Sequence, residues 1–98
     1  MIVYNETYIV DENLHELWLN WMKGNYISQL MASNLFSSFN ILTVLNSPNE
    51  GVTYCIQYLT DNIANYHLVQ PQLQDLQADL FKHFENKFVQ FNTLMQSV

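Results

Sequence analysis

Read with period two, the stretch Ile2 to Asp11 has no plainly water-facing side. As a strand, this stretch sends Ile2, Tyr4, Glu6, Tyr8 and Val10 to one side and Val3, Asn5, Thr7 and Ile9 to the other. The period then lengthens. Leu14, Leu17, Trp18, Trp21 and Met22 form a single helical stripe, with Asp11 or Asn13 as the expected cap and Glu16 three residues beyond Asn13. Gly24 and Asn25 are poor residues for a helix interior, so a kink or break is expected there before Tyr26, Ile27, Leu30 and Met31 resume the stripe. Two runs rich in β-branched and aromatic residues follow, Phe36 to Leu45 and Val52 to Leu59, separated by Pro48, Asn49 and Gly51. They predict an antiparallel hairpin. A second helical region should be capped by Thr60 or Asp61 and carry Ile63, Tyr66 and Val69. Pro71 is expected to split it and open a new segment that turns Leu73, Leu76, Leu80, Phe81 and Phe84 inward. Asn86 suits a left-handed stop, and Lys87 to Met95 reads as the last strand.

The order strand, helix, strand, strand, helix, strand predicts one α+β domain over residues 1–98. The expected form is a ferredoxin-like βαββαβ sandwich with two helices on one face of a four-stranded antiparallel sheet. Its strands pose a problem. Two helices can roof one face, yet both registers of the first, third and last strands carry apolar residues: Tyr4 and Tyr8 against Val3 and Ile9, Tyr54, Ile56 and Tyr58 against Cys55 and Leu59, Phe88 and Leu94 against Val89 and Phe91. An antiparallel sheet with a wet face alternates polar with apolar. The second face is therefore expected to meet an identical subunit, sheet to sheet, as a dimeric α/β barrel. Tyr4, Glu6 and Tyr8 are the expected interface residues, the phenols offering an apolar body with a polar tip.

Composition narrows the function classes. The chain is 49% hydrophobic and only 12% charged, and its nine acidic residues against three lysines give a net charge of -6 with no arginine. Nucleic acid and acidic membrane surfaces are disfavoured partners, and no apolar run approaches the ~20 residues of a membrane helix. The amino terminus lacks the basic and apolar regions of an export signal and Cys55 has no cysteine to pair with, so a cytoplasmic protein is expected.

Four stretches, "MIVYN", "WLNWMK", "GVTYCIQY" and "KFVQFNTL", resemble in order and spacing a family of short bacterial proteins known only as a domain of unknown function. That family is similar to the dimeric α/β barrel, antibiotic-biosynthesis-monooxygenase-like superfamily, so the resemblance implies the same paired sheets. It implies no activity. The chain departs from the family pattern in two places: a "HIP" triplet is here Tyr26, Ile27 and Ser28, and a usual valine is Glu6. Haem-degrading relatives place an asparagine on the first strand and an aromatic residue, then a histidine, on the second helix. Asn5 and Tyr66 match the first two, but no histidine lies between Leu68 and Lys82, so no haem and no other cofactor is expected.

His15, His67 and His83 are scattered, and Asp79 with His83 at i, i+4 lacks a third ligand, so no metal site is expected. No catalytic triad, nucleophile elbow or glycine-rich phosphate loop is present. Two readings follow. The first is a non-enzymatic homodimer that binds a ligand or serves assembly. The alternative is a cofactor-independent monooxygenase or isomerase acting on a small hydrophobic or aromatic molecule between sheet and helices, with Asn5, Gln57, Tyr66 and His67 as pocket groups.

Overall fold

The computed structural model describes residues 1–98. Its elements are β1 (Ile2–Val10), α1 (His15–Trp21), a π-turn segment (Met22–Tyr26), α2 (Ile27–Ala32), β2 (Ser38–Thr43), β3 (Val52–Thr60), α3 (Ile63–His83) and β4 (Phe88–Gln96). The sheet runs β2-β3-β1-β4 with every neighbour antiparallel, so the chain has the ferredoxin-like α+β fold its element order predicts.

Local chemistry explains most of the boundaries. After β1, Asp11 Oδ1 accepts the Asn13 N–H at 2.8 Å, and the Asp11 carbonyl accepts the Leu14 N–H at 3.0 Å. This Asx turn, rather than a capping box on Asn13, leads the chain into α1. Asn62, one residue beyond the expected caps, closes the start of α3 by accepting the Ala64 N–H at 2.9 Å. Asn34, Asn46 and Asn86 take up left-handed backbone at φ 60°, 57° and 61°, each where the chain leaves a helix or turns within a loop. Gly51 ends the β2–β3 loop at φ 85°, where a Cβ would sit 2.4 Å from the Val10 carbonyl oxygen.

The interruption expected at Gly24 and Asn25 takes the form of a π-turn, in which the Ile27 N–H reaches back to the Met22 carbonyl. Pro71 does not split the second helical region, since α3 continues through it for 21 residues. Proline removes one N–H from the ladder, which leaves the carbonyl four residues earlier, on exposed His67, for water to solvate.

The sheet's two faces are now assigned. Tyr4, Glu6 and Tyr8 of β1 lie with Tyr54, Ile56 and Tyr58 of β3 under the helices, in contact with Trp18, Met22, Tyr26, Leu30, Val69, Leu73 and Leu80. Trp18 stacks on Tyr54 with ring centroids 5.3 Å apart and meets Tyr8 at 4.9 Å, while Tyr4, Phe36 and Tyr58 stack among themselves nearby. Burial of each such side chain contributes about 1.5–3 kcal/mol, so this aromatic layer is the main apolar driving force of the fold. Helical cover is concentrated on the two central strands. Edge strand β4 is covered only at its start, where Phe88 packs on Tyr8 and Phe81, and Val89, Phe91, Leu94 and Met95 are exposed.

Candidate functional site

The centre of the helix-covered face holds a carboxyl group. Glu6 lies between Ile56 and Asn92 in the sheet register, with the row of Tyr4 and Tyr58 on one side and that of Tyr8 and Tyr54 on the other. It is 0% exposed. Its Oε2 accepts hydrogen bonds from the Tyr4 hydroxyl at 3.1 Å and the Tyr26 hydroxyl at 2.5 Å. Tyr26 reaches it because the π-turn, with one residue more per turn, sets the ring against β1. Tyr8 and Gln77 are also close enough to favour the charged carboxylate, but Glu6 Oε1, the Tyr8 and Tyr58 hydroxyls and Gln77 Nε2 close no hydrogen bond within the chain.

These opposing effects set the proton affinity of Glu6. Desolvation raises its pKa from 4.5 to about 7, outweighing the donors Tyr26, Tyr4, Tyr8 and Gln77 that pull it down. The surrounding phenols are pushed above their ordinary range by burial first and by the neighbouring Glu6 charge second. The carboxyl is therefore the one group of this cluster that exchanges a proton near neutrality. Three hollows mark the molecular surface, and none is lined by Glu6 or its tyrosines. The cluster is packed shut.

The side chains singled out from the sequence fall in three places. Tyr4, Glu6 and Tyr8, expected at an interface between subunits, instead line the subunit's own core, because the phenol hydroxyls supply the donors that a buried carboxyl requires. Asn5 and Gln57 face each other across β1 and β3 on the sheet's other face, away from the helices. Tyr66 is half-buried on α3 with its ring 5.4 Å from that of Tyr4, and His67 beside it is exposed. The four residues expected to form one pocket are thus divided by the sheet. The sequence reading missed Tyr26, Tyr58 and Gln77 as members of the Glu6 cluster. Tyr58 shares a register with Tyr4 and was visible in principle, whereas Gln77 carried no signal within its glutamine-rich run.

The histidines stay apart. His15 Nδ1 lies 2.8 Å from the Tyr54 hydroxyl, His67 packs on Tyr66, and His83 lies 3.5 Å from Asp79 and against Trp21. No three His, Cys, Asp or Glu side chains are grouped to hold a metal ion. No helix is long and apolar enough to cross a membrane.

The open face carries Val3, Ile9, Leu42, Cys55, Leu59, Val89, Phe91 and Met95, interrupted by polar side chains near its middle. It is neither the continuous apolar surface expected nor an ordinary wet one.

Solved structures share this architecture at low identity, a likeness that concerns the fold alone. A dimeric ferredoxin-like protein from an uncultured marine organism is 17% identical with a TM-score of 0.74, covering 100% of this chain and 95% of that one. An antibiotic biosynthesis monooxygenase is 10% identical with a TM-score of 0.66, covering 100% and 99%. A hydroxynitrile lyase from Passiflora edulis is 13% identical with a TM-score of 0.60, covering 99% and 95%. None of the curated proteins matches the chain in sequence. The two departures from the family pattern noted above, Glu6 and Tyr26, turn out to be hydrogen-bonded to each other. The chain belongs to the family described as Domain of unknown function (DUF4286), matched over residues 1–98.

Proposed function

We propose that this chain is a non-enzymatic homodimeric module, one domain per subunit, in which two sheets pack face to face as a dimeric α/β barrel. The carrying observation is the open face of the sheet. All helices lie on the other side, while Val89 and Phe91 stand 63% and 54% exposed on β4 and continue onto Val3, Ile9 and Leu59. At ~4.8 Å between strands and ~3.4 Å per residue the face measures roughly 500 Å² in projection, so two copies remove about 1,000 Å² from water, the lower bound of a specific interface. The similar marine protein is itself described as dimeric. Small size, an acidic surface without arginine and an unpaired Cys55 support a cytoplasmic protein that binds neither nucleic acid nor membrane.

Sedimentation velocity from nanomolar to tens of micromolar concentration tests this reading on the wild type and on Phe91→Asp. Phe91 is exposed in the subunit, so its replacement leaves the core alone. The wild type should sediment as a dimer and the variant as a folded monomer. A wild type that stays monomeric across the range refutes the proposal.

One observation favours a second reading, a cofactor-independent monooxygenase or isomerase acting on a small hydrophobic molecule. A buried carboxyl with a pKa near 7, ringed by phenols, has the proton affinity that acid–base catalysis uses. Against it stands the packed cluster, which leaves no ligand-sized space beside Glu6. Native mass spectrometry of the purified protein decides: a stoichiometric organic ligand that is lost in Glu6→Gln would favour the enzyme, and its absence the module.

A further inference from the structure

The open face is crossed near its middle by a row of polar side chains. The register sets Asn40 opposite Gln57, Gln57 opposite Asn5, and Asn5 opposite Thr93. Residues directly opposite on antiparallel strands share a face, so these four side chains form one row running across β2, β3, β1 and β4. The adjacent row on one side carries Ser38, Leu59, Val3 and Met95, and that on the other carries Leu42, Cys55, Thr7 and Phe91. Three carboxamides in line, bracketed by rows that are apolar except for Ser38 and Thr7, are not explained by the fold of the subunit. They are also unfinished. Asn5 is 6% exposed, its Nδ2 donates to Thr7 Oγ1 at 2.9 Å, and its Oδ1 has no donor within the chain.

A carboxamide presents a donor and an acceptor side by side, so one such row can satisfy another reciprocally. An apolar surface laid over it would leave Asn5 Oδ1 and the Gln57 amide without partners, which is costly in a dry interface. A twofold axis brings a patch onto its own copy. Resting on the dimer reading above, we propose that the row Asn40–Gln57–Asn5 pairs with the same row of a second copy and fixes the register in which the two sheets meet. A slipped arrangement sets these amides against rows that are mainly apolar, so the row selects one dimer at some expense of affinity, as a lone buried asparagine does in a coiled coil.

Charge exchange across the interface tests it. Gln57→Glu and Gln57→Lys are made separately, and Asn40→Glu and Asn40→Lys form a second pair at a side chain exposed in the subunit, where folding is not at risk. With the twofold axis along the row each side chain faces its own copy, so each variant alone sets like charges face to face and should weaken self-association at least about tenfold, an effect that shrinks in about 0.5 M salt. Mixing the Glu and Lys forms at equal concentration should restore dimer, with the heterodimer well above the statistical half by native mass spectrometry. Dimers of wild-type strength from every single variant, or no heterodimer excess from either pair, overturn the row pairing while leaving the dimer standing. A monomeric wild type overturns both.

Discussion

Replacing Glu6 by glutamine removes a proton site from the core while keeping its shape and its acceptor for Tyr4 and Tyr26. In the folded chain the carboxyl holds its proton up to a pKa of about 7, against 4.5 for the ordinary group, because burial outweighs the tyrosine donors. The folded state therefore binds more protons than the unfolded one between those values, and stability falls with rising pH across that window. With ~1.4 kcal/mol for each tenfold change in proton affinity, the rise from 4.5 to about 7 corresponds to about 3 kcal/mol, fully present below pH ~4.5 and gone above pH ~7. Glutamine does not titrate, so the stability of wild type minus that of Glu6→Gln should fall by about 3 kcal/mol between pH 4.5 and pH 8. Urea unfolding at one fixed protein concentration measures it, the fixed concentration holding any association term constant. A difference that is flat with pH, or that grows as pH rises, refutes the argument; growth would mean that the phenols hold the carboxyl below its ordinary value.

Tyr26→Phe removes the closest donor to Glu6 and should raise the carboxyl's pKa further, visible as an upward shift of its side-chain carbon titration by NMR, with a loss of about 1.5–3 kcal/mol above pH 7. Trp18→Ala empties a fully buried site between Tyr8 and Tyr54 and should cost about 3–5 kcal/mol in chemical denaturation. Gly51→Ala forces a Cβ against the Val10 carbonyl at positive φ and should destabilise by at least about 1 kcal/mol in the same assay, with an unchanged midpoint counting against the close approach.

Much of the fold was legible because its signals are local. The β-branched and aromatic residues of Ile2 to Val10 and of Val52 to Leu59, the turn residues Pro48, Asn49 and Gly51, and the left-handed asparagine at Asn86 each act within a few residues. Pro71 misled because proline is at home in a first turn and merely tolerated in an interior, and only tertiary packing of Val69 and Leu73 on the same side of it decides for continuity. The sidedness of β1 was not legible at all. Both its registers are rich in apolar residues, and a carboxylate at Glu6 argues for an exterior or an interface until its donors are known. Tyr26 and Gln77, which help settle the matter, lie 20 and 71 residues further along the chain, beyond the reach of any local pattern. The same misassignment divided the expected pocket, sending Asn5 and Gln57 to one side of the sheet and Tyr66 to the other.

The segment Met22–Tyr26 winds five residues where an ordinary helix would use about four. Everything after it is displaced around the helix axis by about 100° relative to an uninterrupted spiral, and it is in that rotated setting that Ile27 and Leu30 point inward. Deleting one codon at Gly24, an open position with no atom near a would-be side chain, would look harmless on the surface. It would let the winding relax to its common pitch, the missing residue and the lost 100° offsetting each other, so the later side chains of the helix keep their seats and the chain's length here is less constrained than its chemistry.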